Sequence, residues 1–152
     1  MIDEHTQHLS AYRLDKANTL LTQAELLLKN QQYDGSVNRS YYAMFNAVRS
    51  ILALVELDSQ SHRGVISFFD RYFVKTGLFE KPFSTMLHEA FDSRQDNDYE
   101  DFYHPSDAEA REQYDNATQF FQEITHKRDL FIQEILALPD VMGEEGTSKP
   151  IT

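Results

Sequence analysis

The sequence predicts an all-α fold, an up-and-down four-helix bundle with one short additional helical segment, on three observations. Apolar residues recur at steps of three and four along most of the chain, the spacing that stacks side chains on one helix face. No stretch alternates apolar and polar residues as a half-buried strand does. Turn and capping residues stand between the periodic stretches, at Asn30 to Gly35, Asp58 to Ser61, Gly77, Pro82 and Ser106.

The first helix is expected from about Leu9 to Asn30, where Leu14, Ala17, Leu21, Ala24 and Leu28 form a stripe that Leu20 and Leu27 widen. Residues 1–8 stay outside the bundle as a flexible end. The polar turn through Gly35 is short, so the first two helices should be antiparallel neighbours, with Asp34 or Ser36 as the cap of the second. That second helix, Ser36 to Leu57, carries Val37, Tyr41, Met44, Phe45, Val48, Ile51, Leu52 and Val55 on one face. Tyr42, Ala43, Ala47 and Leu54 add more apolar surface than one buried face requires, which places the helix centrally or against a second subunit. Asn38, Arg39, Asn46, Arg49 and Ser50 keep a polar strip.

Ser61 can cap a third helix, on which Val65, Phe68, Phe69, Tyr72 and Phe73 share a face, and Gly77 suits the left-handed position that closes a helix. Pro82 fits the first turn of a fourth helix, where Phe83, Met86, Leu87, Ala90 and Phe91 repeat the spacing. Arg94 falls on that same stripe, a cation where the pattern asks for a hydrocarbon. Ser106 with Glu109 is a capping box, and it opens a last helix through Ala110, Tyr114, Ala117, Phe121, Ile124, Phe131, Ile135 and Leu138. Carried to Pro139, that helix would be roughly 50 Å long at 1.5 Å per residue, interrupted only by Arg128. Residues 139–152 are glycine, acid, serine and proline, a composition expected to give a disordered acidic tail. The bundle itself is then residues 9–138.

A chain of 152 residues with 41% apolar composition has the material for one domain and a sizeable core. With no cysteine, neither a disulfide framework nor a thiolate metal site is available, and a reducing cytoplasm is the simplest setting. No apolar run approaches the ~20 residues that span a bilayer, so no membrane association is expected. The net charge of -11 is uneven: residues 39–94 hold seven Lys/Arg against six acids, whereas residues 95–152 hold four against fourteen. Such a field disfavours extended DNA but leaves room for one nucleotide or a short RNA at a local arginine cluster.

The run RSYYAMFNAVRSIL, residues 39–52, resembles the signature helix of the HEPN domain family. The likeness continues through SHRGVISFFDRYFVKTG and RQDNDYEDFYHPSDAEA to the last helix, over roughly Leu9 to Leu138. It implies a HEPN-like bundle that forms a symmetric homodimer around a cleft. HEPN ribonucleases carry an arginine followed after four to six residues by a histidine. The matching arginine is Arg94, but the stretch after it, Gln95, Asp96, Asn97, Asp98 and Tyr99, holds no imidazole, and the next histidine, His104, lies further on.

Metal-independent RNA cleavage needs a group that moves protons near neutral pH, which imidazole does readily and a phenol with pKa of about 10 does poorly. Ribonuclease activity is therefore not carried over, with His104 as its weak candidate. Arg94 with Tyr99 can instead hold a phosphate and stack a base, and Arg39, Asn46 and Arg49 can line the same cleft. The resemblance further implies pairing with a nucleotidyltransferase in a toxin-antitoxin-like system, with AMP transferred to Tyr99, or second to Tyr103. The alternative is a helical dimerisation scaffold without a nucleotide site.

Other polar groups point less far. His62 and Arg63, at a helix start, read as an anion contact or as a plain surface pair. His5 and His8 are too few for a metal site, and the acidic run Asp96, Asp98, Glu100 and Asp101 lacks the glycine and glutamate of a calcium loop. No cofactor and no metal are expected.

Overall fold

The computed structural model describes residues 2–99, 101 and 103–141, the side chains of residues 97–99 excepted. Five α-helices are present and no strand among these residues: α1 (Glu4–Lys29), α2 (Tyr33–Leu54), α3 (His62–Phe69), α4 (Lys81–Tyr99) and α5 (Asp107–Ile132), with a π-helical turn, Asp70–Val74, continuing α3. The all-α bundle expected from the apolar spacing is thus the fold observed.

Contacts between helices fix their directions. Ser36 Oγ donates to Ala24 O at 2.9 Å and Arg13 Nη1 donates to Arg49 O at 3.2 Å, so α1 and α2 run antiparallel. Tyr114 Oη donates to Glu25 at 3.0 Å and Arg128 Nε to Ser10 Oγ at 2.7 Å, so α1 and α5 are antiparallel as well. Arg128, the interruption in the apolar seam of α5, therefore has a structural partner on α1.

Three helix starts carry side-chain caps, whereas α2 begins at Tyr33 after Gln32 with no side-chain cap: neither Asp34 nor Ser36 caps it, both lying inside the helix, and the Ser36 hydroxyl is spent on α1. Asp3 accepts from Thr6 N at 2.8 Å and starts α1 at Glu4, ahead of the expected Leu9, so residues 4–8 are helical and Thr6 is buried. Ser61 accepts from Gly64 N at 2.9 Å and Ser106 from Glu109 N at 3.1 Å, as the sequence implies.

Three helix ends share one device. Gln31, Glu56 and Glu134 take positive φ of 57°, 57° and 60°. The next residue in each case bonds back across the turn, Gln32 N to Leu27 O, Leu57 N to Leu52 O and Ile135 N to Leu130 O. This is the Schellman closure, here made without glycine. It stops α2 at Leu54 rather than Leu57 and α5 at Ile132 rather than Pro139. Beyond the stop, Leu136, Leu138 and Val141 turn back onto the core. Of the expected disordered tail, residues 142–152 lie outside the described residues.

The core is built around α2, whose Tyr41, Met44, Ile51 and Leu52 are fully buried and which packs against α1, α3, α4 and α5. Its broad apolar surface is therefore consumed within one chain. A cluster of Phe69, Phe73, Phe79, Phe120 and Phe131 joins α3, the π turn and α5, with Phe69 and Phe79 ring centroids 5.3 Å apart and Phe69 and Phe120 5.6 Å apart. Each phenylalanine withdrawn from water contributes about 1.5–3 kcal/mol.

Candidate functional site

The buried face of α4 runs through Phe83, Leu87, Ala90 and Phe91, and its next position is Arg94. Helical geometry thus turns this cation toward α2 rather than toward solvent. Its Nη2 donates to Tyr42 Oη at 2.9 Å, and its Cζ lies 5.7 Å and 5.4 Å from the ring centroids of Tyr41 and Tyr42. Each such cation-π contact is worth about 0.5–2 kcal/mol. The adjacent tyrosines divide the work, because Tyr41 is fully buried and Tyr42 is half-buried at the rim.

The same tyrosine pair receives a second polar group, His62 from the first turn of α3. The imidazole lies flat on Phe45 at 4.3 Å, its Nδ1 is 2.6 Å from Tyr41 Oη, and its centroid is 5.7 Å from each tyrosine ring. Burial, then the charges of Arg94 and Arg49, hold its pKa below the usual value. Burial likewise pushes the Tyr41 phenol up. Arg63, the next residue, lies over Phe91 at 5.3 Å. A plain surface pair does not account for this arrangement, since the imidazole of His62 is part of the aromatic cluster.

Arg49, one of the strip residues, joins the cluster from below. Its Nη2 pairs with Asp58 Oδ2 at 3.2 Å, and Arg13, buried in α1, reaches the same oxygen at 3.7 Å. Burial, then the neighbouring Arg49, pulls the Arg13 pKa down to about 10 against the opposing effect of Asp58. Asp58 therefore tethers the segment that leads to His62.

The other expected residues are placed differently. Asn46 is buried and donates to Tyr42 O at 2.8 Å, one helical turn back, while Arg39 donates to Asn38 Oδ1 at 3.0 Å. Neither has a described contact with Arg94. Tyr99 is the last residue of α4, and its side chain lies outside the described residues. Tyr103 donates to Glu109 Oε2 at 2.9 Å, and burial together with that carboxylate has its pKa pushed up to about 12. His104 is exposed and faces Asp34 at 3.5 Å, at the start of α2 and about 12 Å along that helix from Tyr42.

A wide depression of about 540 Å³ shares none of these residues. It is lined by Ile2, Thr6, Leu54, Phe131 and the turn after α5, at the end of the bundle where α2 stops. Among the described residues, no group of three His, Asp or Glu is placed to hold a metal ion. No described helix is long and apolar enough to cross a membrane.

Comparison with known proteins adds the following. The HEPN domain family model matches residues 10–128. A protein of Thermotoga maritima named "UPF0332 protein" is 39% identical over 84 residues, which are 55% of this chain and 64% of the relative. Two proteins of Methanocaldococcus jannaschii, each named "Putative toxin", are 33% identical over 87 residues and 31% identical over 86 residues. Each of these matches takes in 57% of this chain, with 59% of the first relative and 64% of the second. The chain thus spans about three-fifths of the length of these relatives.

Proposed function

The chain belongs to the HEPN domain family, and from that premise we propose that it is the nucleotide- or RNA-binding, toxin-like member of a toxin-antitoxin-like pair. Its partner in this reading is a nucleotidyltransferase, and it works in the cytoplasm as a homodimer. The names of the two Methanocaldococcus relatives support the toxin-like part.

The observation that carries the binding role is the Arg94 guanidinium, oriented by the Tyr42 hydroxyl beside the His62 imidazole. A guanidinium fork held in place binds a phosphate bidentately with less ordering cost than a free one. Arg49 over Phe45 and Arg63 over Phe91 add positive charge to the same aromatic cluster.

Modification by the partner would fall on Tyr99. Tyr103 is the weaker acceptor, because its phenol is held protonated and a phenolate is the better nucleophile for transfer of AMP.

Titrating the full chain with AMP, ATP and a short RNA tests the reading. Wild type should bind at least one of them, Arg94→Ala should weaken that binding tenfold or more, and the RNA should be recovered intact. Absence of binding by wild type would leave the scaffold reading in its place, and RNA degradation abolished by His104→Ala would replace it with a ribonuclease.

A further inference from the structure

The imidazole that the sequence does not provide at the required interval after Arg94 arrives from another helix. His62 and Arg94 converge on one pair of tyrosine rings, all four distances lying between 5.4 Å and 5.7 Å. Stacking on Phe45, with an interplanar angle of 15°, fixes the plane of the imidazole.

The proton positions follow from burial. Tyr41 is fully buried, and its hydroxyl has one described hydrogen-bond partner, His62 Nδ1 at 2.6 Å. If Nδ1 carried the proton, the phenol hydrogen would have no acceptor, at a cost of about 1–3 kcal/mol. Tyr41 therefore donates, and the neutral imidazole carries its proton on Nε2. No described residue hydrogen-bonds Nε2. The charges that bear on the ring among the described residues are the guanidinium groups of Arg94 on α4 and Arg49 on α2, and Asp58 pairs through Oδ2 with Arg13 and Arg49.

A ring N–H near the guanidinium groups of Arg94 and Arg49 suits an anionic oxygen. It does not suit a metal cation, which needs the lone pair of a deprotonated nitrogen and a field of the opposite sign. The same arrangement disfavours general-base chemistry, since the basic lone pair is on Nδ1 and faces a buried phenol.

We propose that His62 is a ligand-contact residue of the Arg94 site, giving its Nε2–H to a phosphoryl oxygen of a nucleotide whose charge Arg94 balances. This rests on the binding role argued above and names the phosphate as the group that is recognised.

The experiment uses the 15N-labelled full chain with AMP as probe and adenosine as its phosphate-free control. AMP should move the Nε2 resonance of His62 in the unaltered protein, and adenosine should not. His62→Ala should weaken AMP tenfold or more, while His62→Gln, which keeps an N–H donor, should stay within about threefold of wild type. If AMP binds and Arg94→Ala weakens it, yet the His62 resonance is unmoved or His62→Ala binds as wild type does, this proposal falls alone. If wild type binds no AMP, ATP or RNA, the binding role falls and this proposal with it.

Discussion

A methyl group at position 64 would collide with Ser59 Oγ and stand 2.7 Å from Ser59 Cβ. Gly64 is therefore a condition of the turn that presents His62, because Ser61 caps α3 through the Gly64 N–H and Ser59 bonds Ser61 N at 3.2 Å. Gly64→Ala should cost about 1–3 kcal/mol by overpacking, read from the denaturant midpoint. A variant of unchanged stability would show that the turn moves aside freely. For His62 itself, NMR titration should find a pKa below the usual value of about 6.5, and Arg94→Ala should raise it by removing one repelling charge. The folded chain keeps this imidazole neutral where the unfolded chain takes up a proton. Stability contributed by the neutral ring is thus complete above about 6.5 and falls as pH drops toward the lowered folded value. His62→Gln should flatten that part of the stability profile. Arg94 is readable from the stripe on its own helix. His62 shows in the sequence only as half of a helix-start pair, because its bond to Tyr41 joins residues 21 apart and exists only once α3 folds back over α2.

Helix starts and helix stops differ in what the sequence discloses. Ser61 and Ser106 are recognisable because a hydroxyl at a helix start performs a side-chain task that few residue types can perform. The stops at Gln31, Glu56 and Glu134 carry no such mark, since a left-handed backbone imposed on a glutamine or glutamate leaves the local sequence looking helical. That is why the apolar seam of α5 reads on to Pro139, past the point where the backbone reverses. Glycine relieves the steric strain of that conformation, so Gln31→Gly and Glu134→Gly should each stabilise the chain by about 1 kcal/mol, measured by thermal or chemical denaturation. A loss of stability at both positions would mean that the side chains hold the turns by contacts worth more than the strain.

The distribution of charge over the whole molecule limits what it can hold. Cations gather in the middle third, around Arg49, Arg63 and Arg94, while the last third carries four Lys/Arg against fourteen acids. For an RNA held through one or two phosphates, log affinity should fall against log salt with a slope no steeper than about −2. A much steeper slope would require a long basic track, which the acidic third argues against. The unusual breadth of apolar surface on α2 suggests subunit pairing when read along the sequence, and in the fold that breadth is used up by four neighbouring helices in one chain. Patterning along a helix reveals how much of it is covered, whereas whose side chains do the covering depends on the packing.

Asp58 connects these scales. Its carboxylate is gripped by Arg13 of the first helix and Arg49 of the second, four positions ahead of the imidazole. The edge of the bundle that carries His62 is thereby anchored to α1, so that a substitution buried in that first helix reaches the ring through a single acidic clasp.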